Sequence, residues 1–200
     1  MDTTIAAHLQ AARLCEEHTR PGKAILVRSF RVRRSFVRLT SEGGWFTPAI
    51  DVPHRYQATP RELEDEAARV IGRNGFATVG GWASEETDSR MRACITLTPT
   101  ENYHALVKER CAQVPRLLGS VEGWTIKPRE HGGWTVEDSP NGGELILLWT
   151  PGLAGDVWSV VWRYAERRSL VVATSGTPAA ALEAAPVVMH AVVEDLASEQ

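Results

Sequence analysis

The chain is expected to fold as an α+β protein of two related units, each an antiparallel β-sheet (a meander) covered by one or more helices. Three observations lead there. The stretch from Gly132 to Gly176 alternates apolar runs with polar turns and reads as a four-stranded meander. Helix starts of the form Thr-Pro stand at Thr59-Pro60, Thr98-Pro99 and Thr177-Pro178, each after a strand-rich or loop segment. Gly-Gly-Trp recurs at 43–45, 80–82 and 132–134, which suggests that one plan is used twice. The division expected by chain order is 1–118, an α+β unit with a basic strand, and 119–200, a meander plus a helix.

Residues 4–19 have Ile5, Leu9, Ala12 and Cys15 at helical spacing, with Pro21-Gly22 as a stop. The segment from Lys23 to Phe46 is rich in β-branched and aromatic residues. Neither alternate set of its side chains is wholly apolar, so a bulge or a hairpin pivot is expected near Arg33-Arg34. Thr59-Pro60-Arg61-Glu62 forms a capping box at the head of a helix whose buried stripe is Leu63, Ala67, Val70 and Ile71. Asn74-Gly75 ends it. Strands at about 76–83 and 90–97 follow, joined by a turn at Ser84–Ser89. A second capping box, Thr98-Pro99-Thr100-Glu101, opens a helix to about Gln113, with Pro115 and Gly119 as a boundary.

In the meander, Asn141-Gly142-Gly143, Gly152–Gly155 and Glu166–Arg168 are the expected turns. The last helix starts at Thr177-Pro178 and buries Leu182, Ala185, Met189, Val192 and Leu196. Pro186 is expected to kink or divide it. Gly133-Trp134-Thr135-Val136, the turn Ser139-Pro140-Asn141-Gly142, a Trp-bearing later strand and the Thr177-Pro178 helix together resemble the actinomycete SPDY domain over residues 123–197. That resemblance implies a small module, often found in tandem, and assigns no activity.

Apolar residues make up 43% and charged residues 24% of the 200 residues, as in an ordinary globular chain. No apolar run has the length of a membrane span, and the N-terminus lacks the basic start and apolar centre of a signal peptide. Three cysteines, Cys15, Cys94 and Cys111, are too few and odd for a disulfide framework, so a reducing cytoplasm is expected. Basic residues are 19 Arg against 3 Lys, a composition suggesting a high-GC bacterial or phage gene. Residues 1–118 hold 17 basic and 14 acidic groups (+3), and residues 119–200 hold 5 and 11 (−6), so the halves present different surfaces.

Between His18 and Ser41 there is no acidic residue, while Arg28, Arg31, Arg33, Arg34 and Arg38 are interleaved with Phe30 and Phe36. Cations for phosphates and rings for bases are what a single-strand-binding sheet needs. The structural alternative is a charged edge strand whose arginines pair with Glu62, Glu64, Asp65 and Glu66 and whose two Phe lie in the core. A second candidate surface is formed by Trp149, Trp158 and Trp162, of which one or two, if exposed, would anchor a protein partner.

Metal and enzyme signatures are absent. His8 to Cys15 and His104 to Cys111 are each seven residues apart, about 10.5 Å of helix rise. Zinc ligands lie about 2.0–2.3 Å from the ion, so neither pair can share one; Cys15 and His18, one turn apart, could, but they need two more ligands and no CxxC supplies them. His131-Gly132-Gly133 has no GxSxG nucleophile to serve, and phosphate-binding glycine loops are missing. The expected function is non-catalytic: binding a protein partner or a second copy through a sheet face, or else binding nucleic acid through the strand at 23–38. No cofactor, membrane or small-molecule ligand is inferred.

Overall fold

The computed structural model describes residues 3–31, 33–42, 44, 47–54, 57–87, 90–137, 143–165 and 168–198. Over these residues it is α+β, with two five-stranded antiparallel sheets and four helices. None of the described helices is long and apolar enough to cross a membrane. The chain forms two compact units that do not follow chain order. One comprises residues 18–107 and 152–154; the other comprises 1–17, 108–151 and 155–200. We call them the arginine unit and the tryptophan unit.

In the arginine unit the elements are β1 (Lys23–Ser29), β2 (Arg34–Thr40), β3 (Ile50–Asp51), α2 (Pro60–Arg73), β4 (Phe76–Thr87) and β5 (Arg90–Pro99). The sheet order is β3-β2-β1-β5-β4, so the basic segment is an interior hairpin. The mixed alternation of 23–38 is explained by its turn: β1 and β2 pair from Lys23↔Thr40 to Ser29↔Arg34, and Arg33 takes a positive φ of 53°. One face of the sheet carries Ala24, Leu26, Val37, Leu39, Met91, Ala93, Ile95 and Leu97 into a core shared with Leu63, Ala67, Val70 and Ile71 of α2. These four helix residues are the stripe that periodicity predicts. The capping box forms: the Glu62 amide donates to Thr59 Oγ1 (3.3 Å) and the Thr59 amide donates to Glu62 Oε2 (2.7 Å). Gly75 follows at φ +91°, where a Cβ would stand 2.9 Å from Leu153 and 3.1 Å from Tyr103.

Helix α3 (Glu101–Gly119) starts two residues later than the Thr98-Pro99 motif suggests. Pro99 is the last residue of β5, paired with Phe76, and the cap is Thr100, whose Oγ1 accepts from the Tyr103 amide (3.4 Å). Pro115 lies inside this helix rather than ending it.

The tryptophan unit has α1 (Thr3–Thr19, of which residues 3–17 belong here), β6 (Ile126–Pro128), β7 (Trp134–Val136), β8 (Glu144–Thr150), β9 (Val157–Ala165), β10 (Arg168–Ser175) and α4 (Pro178–Ser198). Its sheet is a plain meander, β10-β9-β8-β7-β6, one strand longer than the sequence suggests. Thr177 caps α4 by accepting from the Ala180 amide (3.3 Å), and Ala181, Leu182, Ala185 and Met189 are buried. The helix continues through Pro186 as one element. The turns expected at Asn141-Gly142, Asp88-Ser89 and Glu166-Arg167, and the Gly43 and Trp45 of the first Gly-Gly-Trp, lie outside the described residues.

The other two Gly-Gly-Trp copies do different jobs. Gly80 (φ +79°) sits in a register shift of β4, whereas Gly132 and Gly133 (φ +90° and +72°) form the turn into β7. That turn lies against α1: a Cβ on Gly132 would meet the Cys15 amide nitrogen at 2.6 Å, and the Gly133 amide donates to Ala11 O (3.2 Å). β7 pairs with β8 only as far as Leu147, and beyond it Cys15 takes over. The Trp149 amide donates to Cys15 Sγ (3.2 Å), and the thiol donates to Trp149 O (3.4 Å). A side chain thus satisfies the β8 backbone along the edge that β7 does not reach.

Candidate nucleic-acid interface

The side chains of β2, β1 and β5 that alternate with the core set define a second face. Arg34, Phe36 and Arg38 of β2 stand in register with Ser29, Val27 and Ile25 of β1, which stand in register with Arg90, Arg92 and Cys94 of β5. The burial of β5 alternates strictly from Arg90 to Thr98, with Arg90, Arg92, Thr96 and Thr98 exposed and Cys94 half-buried between them. The outward face therefore carries four exposed arginines on two strands, with apolar side chains of β1 between them. Adjacent strands lie about 4.8 Å apart, so β2 and β5 put these cations about 10 Å from each other.

Two carboxylates lie on the same face. Asp51 of β3 accepts two hydrogen bonds from Arg34 Nη2 (2.8 and 2.9 Å), an exposed pair of little energetic weight. Glu85 of β4 stands in register with Arg92. Phe36 is half-buried, and the Arg38 guanidinium lies over its ring at 5.4 Å.

The expected interface residues are thereby sorted. Arg34, Phe36 and Arg38 share the open face, and Arg31, exposed in the hairpin turn, reaches its rim beside Val27, Ser29, Phe36 and Arg90. Arg28 belongs to the opposite, helix-side face: its Nη1 donates to Ala58 O (2.8 Å), and its guanidinium lies 5.3 Å from the centre of the Phe30 ring. Phe30 is 36% exposed, and Arg33 occupies the turn. The edge-strand alternative fails on position, since β1 is central and neither Phe is a core residue. Among the acids proposed as partners, Glu62 serves the helix cap, Glu64 accepts from Ser84 (3.0 Å) and Glu66 pairs with Arg69.

Two residues escaped notice in the sequence, Arg90 and Arg92. Their signal was the alternation Arg-Met-Arg-Ala-Cys-Ile-Thr-Leu, which sends both arginines to one side. Trp149, Trp158 and Trp162 correct a different expectation. All three are core residues, at 0%, 0% and 3% exposure, and their rings offer a partner no surface. Trp134, Trp158 and Trp149 stack in sequence, with centroid separations of 5.7 and 6.2 Å.

No family model, curated protein or solved structure matches the chain.

A hollow of about 860 Å³ opens on the helix side of the arginine unit, lined by residues that include His54, Glu62, Glu66 and Arg69. At its edge His54 Nε2 lies 2.7 Å from Ser35 Oγ, a spacing that a nucleophile and its base would share. Ser35 is only 3% exposed, however, and two of the lining carboxylates are engaged in the cap and the Arg69 pair. These contacts are local: His54 ties the segment after β3 to β2, and the carboxylates are engaged within α2 and its cap. Burial also raises the two buried thiols, Cys15 to about 12 and Cys111 to about 11. Among the described residues, no three His, Cys, Asp or Glu side chains converge as metal ligands do.

Proposed function

We propose that the protein is a non-catalytic binding protein that takes single-stranded nucleic acid on the open face of the arginine-unit sheet. The observation that carries this reading is the co-facial set Arg34, Arg38, Arg90 and Arg92 with Phe36 and the apolar side chains of β1 among them. Phosphates would lie along the arginines and bases against the ring and the apolar strip, a division of labour that tolerates any sequence. A face this size matches the two or three bases that sheet-face readers take. Net charge is −3, so attraction must come from the local field rather than from the whole molecule, and affinity will depend steeply on salt.

The test is fluorescence anisotropy of labelled single-stranded DNA, single-stranded RNA and duplex DNA at several salt concentrations. Four neutralised phosphates predict a slope of log K against log salt near about −3 for single strands. Duplex bound as tightly as single strands, or no binding at low salt, contradicts the reading.

Protein association is a second reading, favoured by one observation. The tryptophan unit exposes Val187 (73%), Val188 (39%) and Val193 (40%) on α4, and Leu170 (38%) and Val171 (45%) on β10, which is an edge strand of its sheet. Sedimentation velocity distinguishes this reading: a concentration-dependent dimer lost in Val187→Glu supports it, and a monomer at all concentrations removes it.

A further inference from the structure

The open face is not uniform. Within it lies a hollow of about 340 Å³ bounded by Val27, Ser29, Arg31, Phe36 and Arg90. We infer that this hollow is a single-base pocket, the point at which a bound strand is anchored; the inference rests on the reading of the open face as a strand-binding surface.

Its walls come from three adjacent strands and one turn. Val27 and Ser29 are successive outward residues of β1; Phe36 is the register partner of Val27, and Arg90 that of Ser29. Arg31 enters from the β1–β2 turn. Among the described residues, two guanidinium groups, one ring, one aliphatic side chain and one hydroxyl line the space, and no carboxylate does. That composition suits a flat aromatic ligand with an anion at its edge. The base would lie against the Phe36 ring and Val27, and its phosphate between Arg31 and Arg90. The volume stands at the lower end of ligand sites, about 300–1,000 Å³, the size of one nucleotide rather than of a larger cofactor.

The neighbours prepare the site. The Arg38 guanidinium over the Phe36 ring holds the ring in place and adds positive charge beside it. Asp51, the register partner of Phe36 on β3, is tied to Arg34 by two hydrogen bonds, so that carboxylate is charge-paired. The rest of the face would hold the backbone of the strand without selecting its bases.

The probes are a ten-residue oligothymidylate and an abasic ten-mer with the same sugar–phosphate backbone, titrated into the full chain by anisotropy. The wild-type protein should bind the oligothymidylate about tenfold more tightly than the abasic strand, as one stacked base provides. Phe36→Leu should erase that difference, Phe36→Tyr should keep it, and Arg90→Gln should weaken both strands alike. Equal binding of the two strands by the wild-type protein, or an unchanged preference in Phe36→Leu, overturns the pocket while leaving strand binding in place. If neither strand binds, the pocket and the reading of the face fall together. Recovery of the preference by Phe36→Tyr separates loss of stacking from a folding defect.

Discussion

In the tryptophan unit, β8 reads Glu-Leu-Ile-Leu-Leu-Trp-Thr and is buried at five consecutive positions, so both faces of the strand are packed. In the arginine unit, β5 reads Arg-Met-Arg-Ala-Cys-Ile-Thr-Leu, and its burial alternates with every residue. The two sheets share strand number and antiparallel pairing, yet one is wholly interior at its centre and the other keeps an open side. A continuous apolar run means a strand covered twice, and an alternating one means a strand covered once. The covered sheet holds its tryptophans where they stabilise; the open sheet displays its arginines where they can meet a ligand. Substitutions in the first should therefore change stability, and substitutions in the second should change binding.

The largest expected effect is in the covered sheet. Trp158 is fully buried between Trp134 and Trp149, and Trp158→Ala should cost about 3–5 kcal/mol in denaturant unfolding. At a denaturant-free concentration where the variant remains folded, strand affinity should be unchanged. Next comes the open face. Replacing Arg34, Arg38, Arg90 and Arg92 together by Gln should lower single-strand affinity roughly a hundredfold at low salt. The same variant should unfold within about 1 kcal/mol of the wild type, because exposed charges contribute little to stability. A large loss of stability in that variant would break the comparison.

Smaller effects sharpen it. Gly132 has φ +90° and no room for a Cβ against the Cys15 amide, so Gly132→Ala should cost about 2 kcal/mol without touching strand affinity. Chemical denaturation of the two proteins side by side measures it.

The smallest effect concerns His8, whose Nδ1 accepts a hydrogen bond from Trp134 Nε1 (3.0 Å) and whose pKa burial holds below the ordinary 6.5. The unfolded chain then binds the proton more readily than the folded one. Stability from this group is complete above pH 6.5 and is lost as the pH falls below it. The melting temperature of the wild type should drop between pH 7 and pH 5 more than that of His8→Gln; equal slopes would show that the group contributes nothing.

Much of this organisation is legible in the chain where the signals are local. The Thr59–Glu62 cap, the α2 stripe and the pivot near Arg33-Arg34 each rest on residues within a turn or two of one another. Reading residues 23–38 as one basic stretch hid the consequence of that pivot. Once the chain turns, alternation sends Arg34, Phe36 and Arg38 to one face and Arg28 to the other. Thr98-Pro99 illustrates the limit of a local motif: Pro99 has the φ of either a helix start or a strand end, and pairing with Phe76 decides for the strand. The placement of α1 beside the Gly132-Gly133 turn has no local signal at all. It depends on Cys15 and Trp149, 134 positions apart, whose contact is between a thiol and a strand backbone. The burial of all three expected tryptophan anchors is likewise a tertiary outcome, since an alternating Trp reads the same whether its face is covered or open.

Hydrogen–deuterium exchange with and without single-stranded oligothymidylate tests the central claim most directly, because it locates the contact as well as detecting it. The account predicts that bound strand slows exchange in peptides covering residues 23–40 and 90–99 and leaves residues 144–175 unchanged. Protection confined to residues 144–175, or no protection anywhere under conditions where the oligonucleotide binds, would contradict it.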